Sequence, residues 1–208
     1  MLRSVITSLV FLVIYLNLAI GYGDGLSTTL VANGRQRAIP RPFEHHPGNV
    51  FLEGEPIRIS LPVAGSWSLY DAEDRLLKEV RTDGHEIDLG PLPVGFYRLR
   101  NPQVSDWVSL AVIAPLQAPT PETSPICIDV AMSWFYPENK MEDVASLCAL
   151  AGVNWVRDRL SWGEVEPQRG EFVAKTKYDT AATTQAAAGL KVLQVFHSSP
   201  RWANPNGK

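Results

Sequence analysis

The stretch Trp155–Phe172, WVRDRLSWGEVEPQRGEF, decides how the second half of this chain is read. Its first part, Val153 to Leu160, is an apolar strand, and it runs through Trp162 into a loop holding Glu164, Glu166-Pro167 and Gly170. Immediately upstream, Ala151-Gly152 closes a helix, because glycine takes the left-handed conformation that ends one. The same signal recurs as Ala188-Gly189 before the apolar run Leu190 to Phe196. A helix that ends in Ala-Gly and feeds an apolar strand, twice over, predicts βα units with parallel strands. Before them, Ile126 to Ala131 reads as a short strand. Asn139 is placed to cap the next helix with Glu142 as its capping-box partner, and Val144, Leu147, Cys148 and Ala151 mark that helix's apolar face. Tyr178 and Asp179 open an Ala-rich second helix that Gly189 closes.

Upstream the pattern changes. Pro115, Pro119, Pro121 and Pro125 predict an extended linker over 115–125. From residue 47 to 114, short alternating runs (Ile57/Ile59/Leu61, Trp67/Leu69, Ile87/Leu89, Phe96/Tyr97/Leu99, Trp107 to Ile113) are split by Gly, Pro and Asp at roughly ten-residue spacing, which predicts an antiparallel, immunoglobulin-like β-sandwich. Trp67 and Trp107 are expected in its core. Residues 24–46 have no period and read as a flexible leader. Arg3, the apolar run Val5 to Ile20 and the small residues Ala19, Gly21 and Gly23 read as a secretory signal peptide over 1–23, with an uncleaved membrane anchor as the alternative. Cleavage implies a secreted or periplasmic protein with no stable membrane insertion. Cys127 and Cys148 fit either two buried thiols or, in an exported protein, a bridge.

The net charge of −3, the 45% apolar and 20% charged content and the absence of a basic run argue against nucleic acid as a partner. His45 and His46 are adjacent and have no nearby Cys or acidic cluster at the spacing a metal site needs, and no Gly-rich nucleotide loop is present, so neither metal nor cofactor is expected. Parallel βα units carry their ligands at the carboxyl ends of the strands. That rule selects Ser133 and Trp134 after the first strand, Arg157, Arg159 and Trp162 in and after the second, and His197, Ser198, Ser199 and Trp202 after the third. Indole faces stack on the apolar faces of sugars, and the polar groups can bind hydroxyls, so Trp134, Trp162, His197 and Trp202 are candidate carbohydrate contacts. Arginine inside a strand is costly without a partner, and Asp129 on the first strand is a candidate partner. Trp155 is expected in the core. Glu166-Pro167 is expected to shape its loop.

Gly152 to Arg157 with Trp162, Glu164, Glu166, Pro167, Gly170 and Phe172 resembles the second strand and loop of clan A glycoside hydrolases, families 39, 42 and 5 in particular. Tyr178, Asp179, Gly189 to Leu193 and Ser199 to Ala203 resemble the second helix and third strand. The resemblance runs from Ser124 to Lys208. It implies a (β/α)8 barrel, of which β1-α1-β2-α2-β3 is present over 126–208. It also implies hydrolysis of O-glycosyl bonds with retention by two glutamates about 5 Å apart. Those glutamates belong to the fourth and seventh strands, so none of this chain's residues is expected to be a catalytic carboxylate and the chain alone is expected to be inactive. Arg157 matches the arginine that keeps the nucleophile ionised, with Arg159 the alternative if the register differs by two. An open third strand is expected to invite self-association. The alternative is a non-catalytic β-sandwich that binds carbohydrate or another partner, with a vestigial barrel segment.

Overall fold

The computed structural model describes residues 38–205. The expected signal peptide, the leader as far as residue 37 and the last three residues lie outside the described residues. The chain forms two compact units that divide between Pro115 and Leu116, and each has its own core.

In the first unit, β1 (Val50–Leu52), β3 (Gly65–Tyr70), β4 (Leu76–Thr82), β6 (Gly95–Arg100) and β7 (Val108–Ile113) form a five-stranded sheet in the order β1-β7-β6-β3-β4. A two-stranded antiparallel sheet pairs β2 (Ile57–Ser60) with β5 (Glu86–Gly90). The alternating apolar residues of both sheets meet in one core: Phe51, Ile57, Ile59, Trp67, Leu69, Ile87, Leu89, Tyr97, Leu99, Leu110 and Val112. Period-two patterning put these side chains on one face, and their burial supplies most of the unit's stability.

Two sequence expectations need correction. The sheet is mixed, because β1 runs parallel to β7, with Val50 opposite Ala111 and Leu52 opposite Ile113. A tight turn forces antiparallel pairing only between successive strands. These two are the first and last strands of the unit, so no hairpin sets their direction. Trp107 is not in the core. It is 47% exposed and packs against the guanidiniums of Arg98 and Arg100.

In the second unit, β8 (Cys127–Asp129), β9 (Trp155–Ser161) and β10 (Lys191–His197) form a parallel sheet in the order β8-β9-β10. Cys127 and Lys191 both stand opposite Trp155, and Asp129 and Leu193 both stand opposite Arg157. Between β8 and β9 lie a short helix α1 (Met132–Phe135) and the longer α2 (Glu138–Leu150). Between β9 and β10 lie α3 (Trp162–Val165) and α4 (Lys177–Ala187). The repeated Ala-Gly signal takes one physical form twice. After α2, the Gly152 amide donates to the Ala149 carbonyl and that of Val153 to Cys148. After α4, Gly189 donates to Ala186 and Leu190 to Gln185. Both glycines are left-handed, at φ +74° and +75°, and both following residues are buried. These are Schellman caps, which satisfy the last helical carbonyls and turn the chain into the strand.

Asn139 does not cap α2. The helix begins at Glu138 behind Pro137, whose φ of −66° suits the turn, and Asn139 already lies inside it. The capping box falls on the other helix. The Asp179 carboxylate accepts from both the amide and the hydroxyl of Thr176, at 2.7 and 2.8 Å.

The core of this unit joins Val130, Met132, Met141, Val144, Ala145, Cys148, Val156, Ala181 and Leu190, with Ile128 and Val192 packed against it. One face of β9, carrying Val156 and Asp158, is therefore the helix-covered face. Trp155 is on the other face with Arg157 and Arg159, which corrects its expected place in the core. Its ring lies 5.4 Å from the Lys191 ammonium. The segment before β8 is tied to the sheet, since the Asn154 side-chain amide donates to the carbonyls of Glu122 and Ser124, at 2.9 and 2.8 Å. β10 leaves Leu193 and Phe196 exposed. Cys127 is an exposed free thiol on β8, and Cys148 is a buried one whose pKa burial pushes up to about 12.

Candidate functional site at the carboxyl ends of the parallel strands

The strand alternation that hides Asp158 sends Arg157 and Arg159 to the opposite face. There both guanidiniums converge on one carboxylate oxygen of Asp129, Arg159 at 2.7 Å and Arg157 in closer contact. The expected partner is thus the observed one. Register explains it: Asp129 is paired with Arg157 across the sheet, and Arg159 is one pleat further along the same face. Two cations on one anion leave a net positive charge on a partly exposed surface, which suits a ligand with electron-rich oxygens.

Beyond the strand ends, the predicted contacts fall into two groups. In the first, the rings of Trp134 and His197 meet edge to face, with centroids 4.3 Å apart, and the Arg159 guanidinium lies 5.6 Å from the Trp134 ring. Residue Ser133 is buried beside Trp134 in α1. Two polar atoms here, Ser133 Oγ and His197 Nε2, are buried without a hydrogen-bond partner among the described residues. Such atoms are rare enough to need a reason. His197 Nδ1 is 2.5 Å from Ser198 Oγ. Ser198 and Ala131, which follow β10 and β8, both have left-handed backbones, at φ 56° and 40°. Neither is glycine, so each conformation carries strain, and strain of this kind concentrates where a chain must present side chains in a fixed pose.

In the second group, Trp162 and Trp202 meet edge to face at 5.3 Å. Both indoles are anchored to Glu166. The Trp162 N–H donates to its carboxylate at 2.7 Å, and the Trp202 N–H donates to its main-chain carbonyl at 3.0 Å. The other carboxylate oxygen accepts from the Gly170 amide at 2.8 Å. Glu166 therefore ties the loop together, as its place before Pro167 indicated. Its neighbour Glu164 accepts from the Tyr178 hydroxyl at 2.9 Å and pairs with Lys177 at 3.1 Å. Neither carboxylate has the paired setting that acid/base work on a glycosidic bond requires.

These bonds set a pH response. The Gly170 amide, then the Trp162 indole, hold the Glu166 carboxyl below its ordinary value of 4.5. The Tyr178 hydroxyl, with Lys177 and the field of His197, does the same for Glu164. A depressed folded pKa gives stability that is present above the unfolded value and lost as pH falls through the folded one. Acidification below about pH 4 should therefore loosen the Trp162–Trp202 pair. The check is the near-ultraviolet circular dichroism of the indoles, and Glu166→Gln should abolish that acid step. An unchanged step in the variant would place its origin elsewhere.

Among the described residues no group of His, Cys, Asp or Glu is placed to hold a metal ion, and no helix is long and apolar enough to cross a membrane.

No protein-family model matches the chain, and no curated protein matches it. Among solved structures, the fold is similar to a family 39 glycoside hydrolase from the gut symbiont Bacteroides cellulosilyticus WH2, with a TM-score of 0.55 and 19% identity over 77% of this chain and 35% of that one. Two proteins from Bacteroides fragilis NCTC 9343, provisionally assigned as α-galactosidases, overlap it at TM-scores of only 0.24 and 0.23, with 16% and 14% identity. They cover 76% of this chain and 36% of their own, and carry no weight. The chain spans about a third of the length of the solved structures it matches, and what it shares with the first of them is the fold of part of a glycoside hydrolase.

Proposed function

We propose that this chain carries the opening strands of a (β/α)8 glycoside hydrolase barrel behind an immunoglobulin-like β-sandwich, in a protein exported by the apolar run Val5 to Ile20. The observation that carries the reading is the cluster of Trp134, His197 and Arg159 at the carboxyl end of three parallel strands, with Arg157 joined to it through Asp129. Trp134, 44% exposed, supplies an apolar face for a sugar ring, and the partly exposed guanidiniums of Arg157 and Arg159 supply donors for its hydroxyls. Arg157 and Arg159 give the site its positive charge. In this reading the proton donor and the nucleophile come from strands other than β8, β9 and β10, because Glu164 and Glu166 are already bound within their loop. The similarity to a family 39 enzyme over part of its length supports the same assignment.

Purified 208-residue chain tests it. Oligosaccharides should bind in titration calorimetry, and Trp134→Ala should weaken that binding about tenfold, the scale of one lost aromatic contact. Aryl glycosides should not be cleaved. Cleavage that Glu164→Gln or Glu166→Gln removes would give the chain a catalytic pair of its own and end this assignment. So would the absence of any saccharide response that depends on Trp134.

A further inference from the structure

We propose that the first unit has its own saccharide-binding groove, on the outward face of the five-stranded sheet, independent of the strand-end site in the second unit. The groove has a volume of about 630 Å³, within the range of small-molecule sites, and Tyr70, Arg100, Asp106 and Trp107 are among the residues that line it.

Strand alternation builds it. Arg98 and Arg100 are two apart on β6 and share a face, and Ser68 and Tyr70 stand opposite Arg100 and Arg98 on β3. The Arg100 guanidinium lies between two rings, 5.2 Å from the centroid of Tyr70 and 4.7 Å from that of Trp107. Arg98 lies 4.6 Å from the Trp107 ring. Both guanidiniums pack against the Trp107 ring, which is still 47% exposed. An indole fixed this way has little rotational freedom left to lose on binding. Both arginines are also fixed. Arg98 Nη2 is 2.8 Å from Asp74, Arg100 Nη2 is 3.3 Å from it, and Arg98 further donates to the Ala72 carbonyl at 3.2 Å.

The charges define the ligand. Asp74 offsets the two guanidiniums, and Asp106 adds a negative charge on the rim, so the groove does not favour an anion. It offers a flat aromatic platform beside the hydroxyl groups of Ser68 and Ser105. A neutral sugar ring has the complementary surface, with apolar C–H faces and polar edges. The groove is open rather than enclosed, which fits internal units of a chain as well as its ends.

The test uses full-length chain in affinity electrophoresis through gels containing xylan, mixed-linkage β-glucan, galactan or arabinan. At least one of these should retard the wild type. Trp107→Ala should weaken retardation about tenfold, and Trp107→Phe should retain most of it. Trp107 is exposed, so a matching thermal unfolding midpoint establishes that the alanine variant is folded. Wild-type retardation by Trp107→Ala, or binding of a proline-rich peptide with no glycan bound, would each overturn the proposal. Tyr70→Ala supplies an independent second variant, with the same loss expected.

Discussion

Trp67→Ala should lower the unfolding free energy of the first unit by about 3–5 kcal/mol, the range measured for removing a large aromatic from a packed core. Trp67 is 0% exposed and is among the largest side chains buried in either unit. It lies on β3, packed with Leu69, Leu99 and Leu110, and its indole N–H donates to the Val63 carbonyl at 3.2 Å. Alanine removes the packing area, opens a void and leaves that carbonyl without its donor. A domain has only about 5–15 kcal/mol in total, so the loss takes a large share of it. Urea denaturation followed by far-ultraviolet circular dichroism measures the change. Trp67→Phe should recover much of the packing but not the hydrogen bond, and should fall between the two. A cost below about 1 kcal/mol for the alanine variant would mean that the two sheets do not share the core described for them.

Breaking the buried pair in the second unit should come next in size. Asp158 is 2% exposed, and its carboxylate accepts from the Gln185 side-chain amide at 2.6 Å and from the Arg159 main-chain amide at 2.7 Å. Gln185 is itself buried and also reaches the Met132 sulfur, so this one contact joins α4, β9 and α1. Gln185→Leu leaves a carboxylate oxygen in the core without its donor, at a cost of about 1–3 kcal/mol, with the acceptor's charge favouring the upper end. Asp158→Val leaves the amide without its acceptor at a similar cost. The double variant should cost less than the sum of the two, because replacing both partners with apolar groups strands neither. Denaturant titration of the four proteins gives the coupling directly. Simple additivity would show that the pair does not act as a unit.

The parallel order of the second unit was legible because two Ala-Gly helix ends each precede an apolar run, and both became the same cap. Asp129 could be paired with the arginines because Arg157 and Arg159 share a pleat and a buried or half-buried arginine needs an anion. The side on which the helices would pack was not legible. In WVRDRLS both faces carry charge, Arg157 and Arg159 on one and Asp158 on the other, so alternation alone could not say that Trp155 faces away from α2 and α4. Only Gln185, distant in sequence, makes Asp158 tolerable inside. Likewise Trp107 precedes an apolar strand and reads as its first core residue. Its exposed place depends on Arg98 and Arg100, whose outward alternation was visible but whose proximity required the fold. The strained backbones of Ala131 and Ser198 left no mark on the sequence, since neither residue type favours a left-handed conformation. Thr176 and Asp179 did leave one, the Thr-x-x-Asp spacing of a capping box.

The two thiols give the second unit a built-in stopwatch. Cys127 stands open to an alkylating reagent, whereas Cys148 is shielded within α2 and its high pKa leaves almost no reactive thiolate at neutral pH. A mass spectrum taken during labelling would therefore show one adduct at once. The second adduct would appear only as fast as that helix lifts from the strands, so its rate reports the opening free energy of this half of the molecule without a denaturant.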